Sequence, residues 1–394
     1  MLKLMKYKRL LVMFCISIFT VIIYVVWTNI ASSAVIVTDI KFLGEAIIPT
    51  GSLFQNTEIG GLSGITYDEK NRVYYSISDD RGSKAPTRFY TLTIDLSAEK
   101  LNDKNVKVVG VTNLLNQDNQ IFAPGTTDTE GIALTNRDTI FVSSEGDVEK
   151  SVNPFISEFD LVSGKIRNSL NVEKRFLPDT NKKQGIRNNL GFESLTITPN
   201  QEYLYTATEN ALIQDGTAAK EGIGTSCRIL QYNLVTQQPT GEFLYQTEPV
   251  TSLFNPTGKF ASGLPDLVAL DNQGHFLSIE RSFTGLGFTI LLFEVSLDKA
   301  SNIQNLDSVV TDDRINIKPV EKKLILDLRS LDVSLDNIEG LTLGAKLADG
   351  QRSLILISDN NFNRLQKTQI LGFKLQIESP WTRLLRRLGL GNSQ

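Results

Sequence analysis

The sequence has almost no cysteine and almost no histidine: two of the first and one of the second in 394 residues. Cys15 lies inside an N-terminal apolar run and Cys227 far from it, which excludes a disulfide framework and any cysteine-based zinc motif. With His275 as the single histidine, a multi-histidine metal centre cannot form within one chain. Excess basic charge is also missing. The net charge is −4, and seven of the positive charges sit at the ends, on Lys3, Lys6, Lys8, Arg9, Arg383, Arg386 and Arg387. Setting those seven aside leaves residues 10–380 at −11, which argues against nucleic acid as a partner and suits divalent cations. A Gly-x-Ser-x-Gly elbow is absent too, since Gly61-Leu-Ser-Gly-Ile65 lacks the last glycine, so a serine-hydrolase triad has little support.

Only one stretch of eighteen uncharged, largely apolar residues occurs, Leu10 to Trp27, between a basic start and the small residues that end at Ala34. This is the pattern of an export signal, and as a helix it would reach roughly 27 Å, close to the thickness of a bilayer core. Residues 1–34 therefore read as a signal peptide or an N-terminal membrane anchor, a hydrophobic helix in either case. The protein is expected to be exported, periplasmic or extracellular, secreted or held to the membrane by residues 10–27. Residues 377–394 read as a basic C-terminal tail, in which Trp381, Leu384, Leu385, Leu388 and Leu390 alternate with three arginines. A fraying terminus or a short helix on a membrane surface would both fit that pattern.

The body, residues 35–376, repeats five times. Gly61–Tyr67, Thr129–Leu134, Gly191–Ile197, Gly263–Ala269 and Asn337–Leu343 each join a small residue to alternating apolar positions, the period of a strand. Each is followed across a polar turn by a strand ending in an acid: Asp79, Glu145, Glu209, Glu280 and Asp359. Third strands are predicted at 89–96, 155–161, 228–234, 289–297 and 368–375, and fourth strands near 106–111, 165–171, 241–246 and 322–328. Four antiparallel strands per unit, repeated about one axis, predict an all-β propeller of five blades, or six if one blade is degenerate. The fifth repeat runs out of chain before its fourth strand, so Val35 to Leu43 is expected to complete it and close the ring.

In a hairpin the start of the first strand lies beside the end of the second. Glu130 is thus expected beside Glu145, Glu193 beside Glu209, and Glu339 beside Asp359, all at one rim of the axis with Asp79, Asp80 and Glu280. In this reading Ser63 and Pro265 occupy the rim position in the first and fourth repeats. So many acids cannot all stay ionised in a funnel without counter-charge. Hard oxygen ligands at this density suit Ca²⁺, or else Mg²⁺, with Asn188, Asn189, Asn337, Asn360 and Asn361 as further donors. An acid at a strand end also commonly just accepts backbone N–H groups, so each one taken alone reads as structural. Arg81, Arg88, Arg187, Arg228 and Arg281 lie near the same loop ends, suited to a phosphate or to salt bridges. Glu130, Glu193, Glu339, Arg187 and Arg281 are the candidate catalytic residues. His275, behind Gly274 in a turn at the other end of its strands, reads as a surface residue.

With these motifs assembled, the chain resembles bacterial proteins with a phytase-like domain, described as having esterase-like activity of phytase. The resemblance covers about residues 36–376 and is carried by Ser78-Asp-Asp-Arg-Gly82, Asp128-Thr-Glu-Gly-Ile132, Arg187-Asn-Asn-Leu-Gly-Phe-Glu193, Thr208-Glu-Asn210, Ile279-Glu-Arg281, Asp336-Asn-Ile-Glu-Gly340 and Ser358-Asp-Asn-Asn-Phe362. It implies a propeller, export, and a metal-assisted phosphoesterase or esterase. The expected protein is a monomeric hydrolase that uses water activated by a calcium ion on a small phosphorylated or ester substrate. The alternative is a non-catalytic surface propeller that binds a sugar, lipid or protein.

Overall fold

The computed structural model describes residues 35–179, 181–251, 255, 257–285, 287–310 and 316–387, together with Met13 and Ser17. The expected N-terminal helix, as signal or anchor, otherwise lies outside the described residues, as do Leu388 and Leu390 of the tail. Among the described residues no helix is long and apolar enough to cross a membrane. Residues 39–376 form one compact unit, and 1–38 with 377–394 form a second.

Strand β1 spans Ile36–Ile48 and precedes a small hairpin, β2 (Leu53–Phe54) and β3 (Thr57–Glu58). The first blade is β4 (Leu62–Asp68), β5 (Val73–Ser78), β6 (Arg88–Ile94) and β7 (Val106–Asn113). The second is β8 (Thr129–Leu134), β9 (Thr139–Ser144), β10 (Phe155–Asp160) and β11 (Ile166–Ser169). The third is β12 (Thr196–Ile197), β13 (Tyr203–Ala207), β14 (Ser226–Asn233) and β15 (Gln238–Gln246). The fourth is β16 (Ala261–Ala269), β17 (His275–Phe283), β18 (Phe288–Ser296) and β19 (Glu321–Asp327). The fifth takes β20 (Ile338–Lys346), β21 (Arg352–Ser358) and β22 (Thr368–Glu378) and borrows β1 as its outer strand. The ring has five blades, and a short helix α1 (Pro380–Arg387) follows in the smaller unit.

Burial follows position in the blade. All six residues of β9 are buried, whereas the outer strands β7 and β11 alternate between half-buried and exposed positions. The core lies between adjacent sheets, as propeller geometry requires of sheets packed face to face. Ile77, Phe89, Ile132 and Val142 fill one such layer, and Phe141, Ile156, Phe192 and Leu204 the next. Tyr205, Leu267, Phe276 and Phe293 pack together further round, and Ile65, Tyr90, Ile355 and Ile370 form another layer. Strand β1 adds Leu43 and Ala46 to that last layer, and it runs five residues past the expected end at Leu43 because its outer half also pairs. Phe42 meets Phe373 with ring centroids 5.3 Å apart, and Gln369 Nε2 donates to Glu45 Oε2 at 2.7 Å, so β1 and β22 run antiparallel.

Every blade carries the same irregularity on its inner strand. Leu62 and Ile65 face Ser78 and Ser76, so three steps on β4 match two on β5. The same single-residue excess separates Thr129 from Ile132, Gly263 from Asp266 and Ile338 from Gly340, and Phe192 from Thr196 in the third blade. A bulge of this kind bends the strand and re-aims the side chain it carries. It also brings inner strands of neighbouring blades very close. A Cβ on Gly340 would lie 2.4 Å from Ser63 O, one on Gly64 2.5 Å from Glu130 O, and one on Gly131 2.6 Å from Glu193 O.

Those carbonyls belong to backbone and cannot swing aside. Gly340→Ala should therefore cost about 1–3 kcal/mol through overpacking, read as a lower urea midpoint. Gly287→Ala, where nothing lies within 4 Å, should leave the midpoint nearly unchanged. Equal midpoints for the two variants would show that the axis can widen freely.

Candidate functional site

The bulge sets which side chains reach the axis. Counting from the paired residues, the rim position is Ser63, Glu130, Glu193, Leu264 and Glu339 in the five blades. Just past the second strand stand Asp79, Glu145, Glu209 and Asp359, and the equivalent position in the fourth blade is Ser282, still inside β17. In the four acidic blades the amide of that acid is tied back to the first strand: Asp79 N to Gly61 O at 2.6 Å, Glu145 N to Asp128 O at 2.9 Å, Glu209 N to Gly191 O at 2.8 Å and Asp359 N to Asn337 O at 3.0 Å. Ser63 Oγ donates to Glu130 Oε2 at 2.5 Å and lies 3.2 Å from Glu339 Oε2, so three blades meet over the axis.

Two groups of three carboxylates emerge, Asp79 with Asp128 and Glu130, and Glu130 with Glu145 and Glu193. In each, one oxygen per residue lies within 4.8 Å of the others. Glu130 belongs to both. Asp79 Oδ1 and Glu145 Oε2 are buried and meet no N–H or hydroxyl donor, and the two side chains lie within hydrogen-bonding reach of other carboxyl groups, Asp79 of Asp128 and Glu145 of Glu193. Two like charges about 4 Å apart repel by about 4 kcal/mol at an effective dielectric constant near 20, more than the ~1 kcal/mol of a typical hydrogen bond. The protein answers partly by retaining protons. Burial first, then the charges of Asp79, Asp128 and Glu145, push Glu130 well above the usual glutamate value. Burial and Glu145 do the same to Glu193, and burial, Asp128 and Asp359 to Asp79. Burial raises Glu145 to about 8 and Glu209 to about 7. Glu339, Asp128 and Asp359 are also raised, mainly by burial.

Two guanidinium groups face these acids. Arg281 Nη2 donates to Glu209 Oε1 at 3.1 Å and to Glu339 Oε1 at 2.9 Å. Burial alone would loosen the proton of Arg281, but Glu209 and Glu339 outweigh it and hold the charge. Arg81 Nε donates to Asp128 Oδ1 at 2.6 Å. The fourth blade thus puts Leu264 at the rim and a cation, Arg281, where the others have Ser78, Ser144, Thr208 and Ser358. The donor set is all carboxylate oxygen, with two buried oxygens that meet no N–H or hydroxyl donor, and it fits a hard divalent cation. Asp79, Asp128 and Glu130 would hold it, with Glu145 and Glu193 beside them in the second triad.

Several expected site residues lie elsewhere. Asp80 accepts from Ser83 N, Lys84 N and Ala85 N at 3.1, 2.7 and 3.0 Å and pairs with buried Arg88, so it caps a turn. Glu280 stands inside β17, two residues before the position equivalent to Asp79, because β17 runs on to Phe283. It accepts from Lys322 Nζ at 2.6 Å, Tyr245 Oη at 2.8 Å and Glu248 N at 2.7 Å, away from the rim. Arg187 donates to Ala211 O and Gly216 O at 3.0 and 2.5 Å and serves loop structure. Arg228 is fully buried against Asp215 and Glu242. The rim position of the fourth blade is Leu264, and Pro265 is one residue out of register. Next along, Asp266 Oδ2 accepts from Leu341 N at 2.8 Å, and the Leu195 amide also reaches its carboxylate, so it staples three blades. His275 lies away from the acids as expected but is buried, with Nδ1 2.6 Å from Asp271 Oδ2 and Nε2 3.3 Å from Asp298 Oδ2, two acids that offset its desolvation. Ser63 stands at the rim and Arg81 beside the acids, where the sequence placed them, whereas Asp128 belongs to the site without having been singled out for it. Asp128 was visible in principle, two residues before Glu130.

The sequence profile of the Phytase-like family, described as esterase-like activity of phytase, matches residues 57–362. No curated protein sequence matches the chain. Among solved structures it is similar to the Dos1 propeller, at 10% identity over 79% of this chain and 68% of that one, TM-score 0.34. It is also similar to the tail fibre of Staphylococcus aureus phage P68, at 11% identity over 90% of this chain and 56% of that one, TM-score 0.41. A third is the Pseudomonas aeruginosa periplasmic gluconolactonase PpgL, at 11% identity over 82% and 86%, TM-score 0.34. Likeness at this level says nothing about chemistry.

The proton load of the cluster is measurable. Raised carboxyl groups bind protons in the folded state that the unfolded chain has already lost, so chelated protein should be most stable near or below the ordinary glutamate value and lose stability as pH climbs through about 7 to about 8. Calcium should restore the loss and flatten the slope. Thermal midpoints across that window, with chelator and with Ca²⁺, provide the check. A flat chelated profile unaffected by calcium would mean that the acids ionise without cost.

Proposed function

We propose that this chain, which belongs to the Phytase-like family described as having esterase-like activity of phytase, is an exported hydrolase that uses a divalent cation, calcium first, to cleave a phosphoester or ester at the acidic end of its axis. The observation that carries the reading is the pair of carboxylate triads sharing Glu130, with Asp79 Oδ1 and Glu145 Oε2 buried and without an N–H or hydroxyl donor. Hydrolysis adds water across the ester bond: the water oxygen ends on phosphorus or on the acyl carbon, and the alcohol leaves with a proton. A cation bound by the cluster supplies Lewis acidity to the ester and acidity to water.

The chain's own residues do the rest. Asp79, Asp128 and Glu130 would hold the cation. Ser63 fixes Glu130 from the neighbouring blade, and Arg281 holds Glu209 and Glu339 across the mouth. Glu145 and Glu193, whose proton affinity burial raises, can hold at a carboxyl oxygen the proton that the alcohol needs. Leu264 puts a buried apolar side chain at the rim position of the fourth blade. Export rests on the basic start and the run Leu10 to Trp27.

One observation favours a second reading. Glu130 and Glu193 are each only 7% exposed, which also suits ions that merely staple the blades of a surface-binding propeller.

Purified protein should hydrolyse a model phosphomonoester or ester, lose that activity in chelator and regain it with Ca²⁺. Glu130→Gln keeps shape and removes charge, so it should weaken calcium binding and lower kcat/KM by about 100-fold or more. His275→Ala, remote from the acids, should lower stability and keep turnover. Chelator-insensitive activity, or a fully active Glu130→Gln, would sink the hydrolase reading. Calcium-dependent stability without turnover would favour the staple.

A further inference from the structure

The second blade carries a cleft that the acids at the axis do not use. It encloses about 330 Å³ between the loop that leaves β7 and the two outer strands β10 and β11, and none of its lining residues belongs to either carboxylate triad. One wall is aromatic. The rings of Phe122 and Phe155 lie 13° from parallel with centroids 6.3 Å apart, both half-buried, and Phe159 meets Phe122 edge-on from the core. The floor is polar. Ser157 Oγ and Ser169 Oγ are 2.8 Å apart, and since one hydroxyl donates to the other, one hydroxyl hydrogen is left over.

The facing wall is a turn held rigidly away from the rings. Asn116 Oδ1 accepts from Asp118 N and Gln120 N, both at 3.0 Å, and Asn116 N donates to Gln120 O at 2.8 Å. Asn119 turns the loop at φ +57°, a left-handed conformation that asparagine tolerates. Leu115 N donates to Gly164 O at 2.7 Å and Ile166 N to Leu115 O at 3.1 Å, which clamps the loop to the start of β11. Gln117 and Asp118 are left exposed at the mouth. Their side chains, like Asn116 Nδ2, make no hydrogen bond among the described residues.

We infer that this cleft is a carbohydrate site, taking one pyranose ring of a neutral sugar. A pyranose has C–H faces that pack on aromatic surface and an edge of hydroxyl groups, each able to donate and to accept. Phe122 and Phe155 meet the face. Asp118 accepts from the edge, the amides of Asn116 and Gln117 donate and accept beside it, and the serine pair serves the deepest hydroxyl. A guest of other chemistry fits less well. An ammonium ion suits an aromatic wall beside a carboxylate, but it would leave the amide groups and the serine hydrogen without partners. An anion would meet Asp118 with no cation in the described lining. The braced turn lowers the ordering cost of binding. The inference is independent of the hydrolase reading.

Saturation-transfer NMR and titration of the full chain test it, with methyl β-D-glucopyranoside, methyl β-D-galactopyranoside and methyl α-D-mannopyranoside as probes and chelator present, so that no calcium at the axis holds sugar hydroxyls. At least one probe should bind with a dissociation constant on the order of 1 mM. Asp118→Ala and Gln117→Ala, both at exposed positions, should each weaken it about 10-fold, and Phe155→Ala by a similar factor. Cyclohexanol, a ring of like size with one hydroxyl, should bind more weakly than the sugar. Absence of binding for all three pyranosides, binding unchanged in both Asp118→Ala and Gln117→Ala, or cyclohexanol binding as tightly would overturn the inference. Tetramethylammonium that binds in place of the sugars and is lost in Asp118→Ala would make the cleft a cation site instead. Should Phe155→Ala fail to fold, the two exposed variants carry the comparison.

Discussion

Everything at the acidic end follows from how little room the axis has. Five sheets around one centre bring their inner strands so close that the carbonyl of Ser63 stands where Gly340 would carry a side chain, and Glu130 and Glu193 crowd Gly64 and Gly131 in the same way. The chain meets this with one extra residue in each inner strand, and the bulge turns the residue beside each glycine toward the centre. In a wider ring the same glutamates would stand apart in water. Here they share a few ångströms, and that proximity sets their protonation, their fit to a cation and the value of each remaining positive group.

Within that constraint the fourth blade is the exception on which the site depends. Four blades contribute a polar or acidic residue at the rim, and the fourth contributes Leu264 and, one strand over, Arg281. This guanidinium bridges Glu209 of the third blade and Glu339 of the fifth. Its Nε is buried without a partner, so its geometry is set by the two acids rather than by its own blade. The ring is lopsided as a result: the triads lie over the first three blades, and the far side is neutralised by an internal ion pair.

The blade count, the strand order and the closing role of the first strand were legible because period-two alternation and the recurrent small residue survive in every repeat. So was the convergence of Glu130, Glu145, Glu193, Glu209, Glu339, Asp79 and Asp359, since strand-end position alone dictates it. What was not legible is register at single-residue precision. Glu280 and Pro265 looked equivalent to rim residues only because β17 outlasts its counterparts and because Gly263, which matches Gly61 in sequence, faces Arg281 in the place that Leu62 holds opposite Ser78. Asp80 sits next to Asp79 in sequence, yet adjacent residues leave a turn in different directions, and a carboxylate that meets three amides closes the turn. His275 was read as exposed because a turn usually is, and no pattern in the sequence places Asp271 and Asp298 around it.

The antiparallel union of β1 with β22 has a practical corollary. β22 starts at the acidic end and runs away from it, and β1 runs back toward it, so within residues 39–376 both chain ends leave the ring on the face turned from the carboxylates. Circular permutation that moves the ends into the rim loops would invert this arrangement.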